Sequence, residues 1–460
     1  MSTFPIVTKK TPLPNFMATR NACKLCAPLG ASLAIRGIEG ALPYLHGSQG
    51  CATYMRRYII SHFREPMDIA ASNFSEHSTV FGGADVFRQG ILNVQSQYHP
   101  TLIGIATTCL TETIGEDMTL LLAQLESGRD GVELPTLVPI STPSYHGTHM
   151  DGFHAAVLAI VEKLAEKSAK PRGHINLLPG MVSAADVRYL KEVVRDFEME
   201  ATILPDYSDT LDGPALEEYH KIPEGGTPVA EIRAAGDARG SVEFGRTILN
   251  RKTASAFLQE KFGVQAHRVG MPIGVRETDV FFEQLEQLSH RPTPRRHQQE
   301  RGRLIDAYVD GHKYVFGKRA VVYGEEDMVV GLAAFLAEIG VVPVLCGSGG
   351  ESGHFAEAIA VVTPGLEGKI AVCEGTDFMS MEERARELAP DFLIGSSKGH
   401  LMARHLGVPI IRVGFPVHDR IGGQRILHLG YRGAQQLFDL VVNTLLAKKQ
   451  QDSPIGYSYM

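Results

Sequence analysis

Three cysteines in the first quarter of the chain share one setting. Cys26 stands in Leu25-Cys-Ala-Pro-Leu-Gly-Ala31, Cys51 closes His46-Gly-Ser-Gln-Gly-Cys51, and Cys109 closes Ile105-Ala-Thr-Thr-Cys109 ahead of Thr111-Glu-Thr113. Gly, Pro, Ser or Thr flank each one, so backbone amides can approach each sulfur closely. Iron–sulfur clusters need thiolates, and amide hydrogen bonds to the sulfurs tune their potential. One cysteine so placed would read as a small buried hydrophobe. Three, each at the apparent end of a strand or start of a helix, read as ligands. A four-iron cluster usually takes four thiolates, so three leave two outcomes: an oxygen or nitrogen ligand from this chain, or a cluster shared with another chain. Ser144, in Ser141-Thr-Pro-Ser-Tyr-His-Gly-Thr-His149, lies in a similarly tight loop after an apparent strand ending near Ile140.

The other candidate groups are weaker. Cys23-Lys-Leu-Cys26 is formally a C-x-x-C, but it follows a Pro-rich lead-in rather than a strand, and no second close pair completes a structural zinc site. Cys23 therefore reads as structural, and Cys346 and Cys373 as core residues. The histidines His46, His62, His146, His149, His400 and His418 fit no H-E-x-x-H spacing and read as structural or surface groups. Cys346-Gly-Ser-Gly-Gly350 is not G-x-G-x-x-G, and no G-x-x-x-x-G-K-[ST] occurs. Neither a dinucleotide site nor an internal ATPase is expected, and any nucleotide-driven step would belong to a partner.

The elements that must position these residues are short apolar runs alternating with helical patterns. Expected strands are Leu102–Ala106, Ile175–Leu178, Ala201–Leu204, Ala320–Tyr323, Val341–Leu345, Ile370–Val372, Phe392–Ile394 and Pro409–Val413. Several end in small or polar residues. Strand, small-residue turn, then helix is the grammar of open parallel α/β sheets, whose ligands bind beyond the strand carboxyl ends. Two polar segments break the rhythm, one ending at Pro171-Arg-Gly173 and one running His290-Arg-Pro-Thr-Pro-Arg-Arg-His-Gln-Gln-Glu-Arg301. They predict three Rossmann-like α/β domains with mainly parallel sheets: 1–168 carrying the ligands, 169–300, and 301–460. The second polar segment reads as a solvated connector or exposed helix start, being too short and too poor in aromatics for a nucleic-acid patch.

With 460 residues, 44% hydrophobic and 21% charged, the chain is of ordinary globular composition and long enough to bury a large core without disulfides. A net charge of −7 gives no footprint for nucleic acid or an anionic membrane. No signal-peptide core and no apolar run of about 18 residues occurs, so a cytoplasmic protein is expected.

Taken in order, several motifs together resemble one family. They are His46-Gly-Ser-Gln-Gly-Cys51, Ser61-His-Phe-Arg-Glu-Pro66, Val80-Phe-Gly-Gly83, Thr107-Thr-Cys109 with Glu112, and Thr142-Pro-Ser144. Further on come Gly414-Phe-Pro416, His418-Asp-Arg420 and Gly430-Tyr-Arg-Gly433. The order is similar to that of the nitrogenase component 1 β-subunit family, which includes β-like subunits of nitrogenase-like reductases, such as methylthio-alkane reductase, and of the scaffold on which the iron–molybdenum cofactor precursor matures. The resemblance implies that Cys26, Cys51 and Cys109 are the β-side ligands of a P-cluster-type [8Fe-7S] centre, with [4Fe-4S] as the alternative. It further implies that Ser144 ligates in some oxidation states and that Tyr54 is an aromatic between that cluster and the active-site cofactor. His46 and Arg64 stand apart because they fall in His46-Gly-Ser-Gln-Gly-Cys51 and Ser61-His-Phe-Arg-Glu-Pro66, motifs that the family resemblance places on the cluster side. An α-like partner in an α2β2 heterotetramer would carry the cofactor, and an ATP-hydrolysing iron protein would deliver electrons. Between the two branches, the short lead-in and the ending Gly456-Tyr-Ser-Tyr-Met460 lean toward the scaffold. The full set of three cysteines plus serine leans toward the reductase, which is the preferred expectation. The first cysteine motif, Cys26-Ala-Pro-Leu-Gly30, reads differently from that of an iron-only β-subunit. A metal-free α/β protein binding a small molecule in an interdomain cleft is the remaining reading from another class.

Overall fold

The structure, a computed structural model, describes residues 22–127, 133–145, 147–168, 173–215, 217–248 and 251–455. The lead-in 1–20, His146, Pro171 and the ending 456–460 lie outside these residues. Three sheets are present among the described residues, and every strand pair whose direction is defined is parallel. The first consists of β1 (Ala41–His46), β2 (Ala70–Ala71), β3 (Leu102–Thr107) and β4 (Thr136–Ile140), in the order β2-β1-β3-β4. The second has β5 (Ile175–Leu178), β6 (Ala201–Ile203), β7 (Gly240–Phe244) and β8 (Ala266–Val269), ordered β6-β5-β7-β8. The third runs β11-β10-β9-β12-β13, with β9 (Arg319–Gly324), β10 (Val342–Ser348), β11 (Ala371–Cys373), β12 (Phe392–Gly395) and β13 (Ile410–Arg412). The α/β fold with mainly parallel sheets is as expected.

Two compact units divide the chain, one of residues 25–243 and 251–267, the other of the remainder. The first unit contains α1 (Ala27–Arg36), α2 (Gln49–Phe63), α3 (Glu76–Phe81), α4 (Ala84–Tyr98), α5 (Cys109–Ile114), α6 (Met118–Ser127) and α7 (His149–Leu164). Its strands β1 and β3 are buried on both faces, which explains their nearly continuous apolar runs. On one side Leu42, Tyr44, Ile103 and Ile105 pack against Phe87 and Ile91 of α4 and Leu121 and Leu125 of α6. On α1 every residue is buried. It lies so close to α7 that a Cβ on Gly30 would overlap the carbonyl oxygen of His149, and one on Gly152 the carbonyl oxygen of Ala27. Only hydrogen side chains permit that approach.

In the other unit, Val321, Tyr323, Leu345 and Leu393 of the third sheet pack with Phe378, Met381 and Met402, and Cys23 sits in the same cluster. Cys346 is buried on β10, and Cys373 lies half-buried on the neighbouring β11. The basic segment after His290 is the start of a helix, Arg295–Val315, entered through Pro294. No helix among the described residues is long and apolar enough to cross a membrane.

Candidate metal centre

The cysteine turns meet at one edge because β1 and β3 are neighbours in register. His46 and Thr107, the last residues of these strands, are paired. Each strand then turns into a helix that begins within three residues, placing Cys51 in the first turn of α2 and Cys109 at the first position of α5. Ser48 caps α2, its side chain accepting from Gly50 N. Thr108 and Thr111 form a reciprocal capping box on α5. Cys26 is the N-cap of α1, with Pro28 just inside the helix. The start of α1 is held against the start of α7, which follows β4 and the turn bearing Ser144. Ser144 is half-buried and sits four residues beyond the end of β4 at Ile140. Three sulfurs thus occupy helix starts, where unpaired amides and the helix dipole favour negative charge.

Cys26 and Cys109 are exposed and Cys51 is partly buried. Burial first, then the nearby thiols of Cys26 and Cys109, push the Cys51 thiol above its ordinary pKa. Cys51 therefore lies within electrostatic reach of both Cys26 and Cys109. Yet no three His, Cys, Asp or Glu side chains among the described residues are close enough to share one metal ion. Thiolates at helix starts are the donor type that an iron–sulfur centre takes.

A dense hydrogen-bond network fixes the turns. The carbonyl of His46 accepts from Thr108 Oγ1 at 3.1 Å and Thr111 Oγ1 at 3.0 Å. Thr142 N donates to Thr107 Oγ1 at 2.8 Å, and Thr142 Oγ1 donates to the Thr107 carbonyl at 2.7 Å, joining the β3 and β4 turns. Glu112 Oε1 accepts from Thr107 Oγ1 at 2.5 Å and from Ser141 Oγ at 2.6 Å. The imidazole of His46 is fully buried, with Nδ1 3.0 Å from Ser72 Oγ and Nε2 3.6 Å from Glu116 Oε2. The other carboxylate oxygen of Glu116 accepts from Gly83 N at 2.6 Å. Burial lowers the His46 pKa, and Glu116 opposes this.

The remaining expected residues fall elsewhere. Tyr54 projects from α2 one turn beyond Cys51, 54% exposed, with its ring centroid 5.6 Å from that of Tyr58. Arg64 is exposed at the far end of α2, a left-handed C-cap at φ 63°. Thirteen residues of helix place it about 20 Å from Cys51, so it does not belong to the cysteine turns. Cys23 is buried, and burial first, then Glu325, pushes its thiol up to about 12. Sequence reasoning passed over Ser72 and Glu116. The available signal was a helix stop at Gly115 followed at once by an acidic pair, Glu116-Asp117.

Comparison with known proteins identifies the family. Residues 26–446 match the family described as Nitrogenase component 1 type Oxidoreductase. The chain is 34% identical over 436 residues to the nitrogenase molybdenum-iron protein beta chain of Clostridium pasteurianum, covering 94% of each. It is 36% identical over 438 residues to the corresponding chain of Methanothermobacter marburgensis, covering 93% of this chain and 94% of that one. Among solved structures, nitrogenase Cp1 at pH 6.5 superposes with a TM-score of 0.93 at 32% identity, covering 98% of this chain and 99% of that chain. The chain belongs to the nitrogenase component 1 family of oxidoreductases, as a β-like subunit.

Proposed function

We propose that the chain is the β-like subunit of a nitrogenase-like reductase. In this reading Cys26, Cys51 and Cys109, with Ser144 as an auxiliary oxygen ligand, hold one side of a P-cluster-type iron–sulfur centre. When bound, the centre supplies one-electron storage and relay. The protein's part is to bind and orient it: three helix starts present amides and thiolates, and the capped turns keep the sulfurs in place. An α-like subunit completes the ligand set in an α2β2 assembly and carries the cofactor at which substrate is reduced. Tyr54 lies on the path toward that cofactor, and an ATP-hydrolysing iron protein supplies the electrons. The division into units 1–168, 169–300 and 301–460 forms part of the same reading, each unit built on one of the three sheets. All of this is assigned to the cytoplasm.

The observation that carries the proposal is the electrostatic reach of Cys51 to both Cys26 and Cys109 at helix starts, without the closeness that a single ion demands. The test is iron content and electron paramagnetic resonance of the complex purified without oxygen. Cys51→Ala should abolish the iron–sulfur signal and Cys346→Ala should leave it intact; full iron in both variants would overturn the ligand assignment. About eight irons in the shared site support the relay centre, whereas about four point to the cofactor-assembly scaffold.

A further inference from the structure

His46 belongs to none of the proposed ligand positions, yet ring contacts, side-chain neighbours and two hydroxyl donors to its carbonyl converge on it. Its ring is fully buried between Phe74 and Phe87, with both centroids 5.0 Å away in edge-on geometry. Ser72 Oγ accepts from Gly47 N at 2.8 Å and lies 3.0 Å from His46 Nδ1. The other ring nitrogen, Nε2, faces Glu116 Oε2 at 3.6 Å, an ion-pair separation beyond hydrogen-bond reach. Glu116 in turn holds Gly83 N, at the start of α4. On the main-chain side the His46 carbonyl receives Thr108 and Thr111, the two residues that cap the helix bearing Cys109. Five residues downstream of His46 lies Cys51.

We infer that His46 is a positioning residue for the metal centre. Its imidazole ties the turn after β1 to Ser72 and stands beside the Glu116 carboxylate, and its carbonyl locks the turn after β3, so Cys51 and Cys109 are held as one pair. The inference rests on the reading that these cysteines bind an iron–sulfur centre, and it goes further by assigning the spacing of two ligands to a residue that touches no metal. A cluster's potential depends on ligand geometry and on hydrogen bonds to its sulfurs. Loosening this lock should therefore alter the centre's electronic properties before it costs any iron.

His46→Phe retains a ring of similar shape between Phe74 and Phe87 while removing the nitrogens that face Ser72 and Glu116. His46→Asn retains an acceptor near the Nδ1 position. Both would be examined in the complex with its α-like partner, by iron content, midpoint potential and electron paramagnetic resonance. The expected result is near-normal iron in both variants, a shifted potential and altered line shape in His46→Phe, and partial return toward wild type in His46→Asn. Should His46→Phe not assemble, Glu116→Gln is the second variant and should move the same two readouts in the same direction. Wild-type potential and line shape in iron-replete His46→Phe, or in Glu116→Gln, would overturn the inference while leaving the ligand assignment standing. Iron content indifferent to Cys51→Ala would instead remove the underlying reading.

Discussion

Six thiols of one chemical type meet four different environments in this chain. Cys26 and Cys109 face outward, Cys51 is partly covered and raised by its neighbours, Cys373 is half-buried, and Cys23 and Cys346 are sealed in apolar cores. Only the thiolate reacts with alkylating agents, and burial disfavours it. In iron-free, folded chain, Cys26 and Cys109 should therefore react first with iodoacetamide, Cys51 several-fold more slowly, and Cys23 and Cys346 only after unfolding. Peptide mass mapping over a time course checks this, and early labelling of Cys23 would contradict its placement. The separation was partly legible in the sequence. Cys26, Cys51 and Cys109 announced themselves through flanking Gly, Pro, Ser and Thr. That Cys23 lies in the apolar cluster around Tyr323 depends on side chains about 300 residues away, which no local pattern reports.

At the scale of elements, the helix pair α1 and α7 sets the position of the first ligand turn. Gly30 and Gly152 let the two backbones touch. Gly152→Ala drives a methyl into the Ala27 carbonyl, one residue from Cys26. It should cost about 1–3 kcal/mol of stability, read as a lowered urea midpoint, and should reduce iron retention by the complex. Unchanged stability would show that the helices have slack. Most strands of the sheets were legible as apolar runs, and β5 matches its expected bounds. Among the strands that gave no such signal are β1, which leads to Cys51, and β7 and β8 of the second sheet. β1 contains Pro43, which argues against a central strand, yet β1 pairs on both sides. β7 carries Glu243, buried but satisfied by hydroxyls of Thr253 and Ser255 at 2.7 and 2.5 Å. β8 is an edge strand, Ala-His-Arg-Val, mostly half-exposed and so without an apolar pattern. In each case tertiary contacts overrode local preference.

For the whole molecule, the proposed centre is incomplete within one polypeptide. Three sulfurs and a hydroxyl do not enclose a polynuclear core, and two of those sulfurs are exposed here. The chain made alone should fold, since both compact units have buried cores of their own, but should hold little iron. Co-expression with an α-like chain should restore roughly eight irons per shared site and a brown colour. Elemental analysis and native mass of the two preparations decide the matter, and a fully loaded solitary chain would refute the shared-site proposal. Family membership was readable from the order of motifs along nearly the entire sequence. The substrate was not, because in this reading the reducing site belongs to the other subunit.

The parallel pairing of β1 with β3 sets a timetable for biosynthesis. The strands that deliver Cys51 and Cys109 are separated by more than fifty residues, yet they finish side by side at His46 and Thr107. Parallel neighbours cannot zip together from a tight hairpin, so the ribosome must release everything through β3 before both sulfurs share an edge. Any nascent fragment shorter than that offers loose thiols and no cradle. Under the proposed ligand assignment, metal delivery comes after both turns have met, and a carrier that donates iron has to recognise a finished surface rather than an emerging peptide.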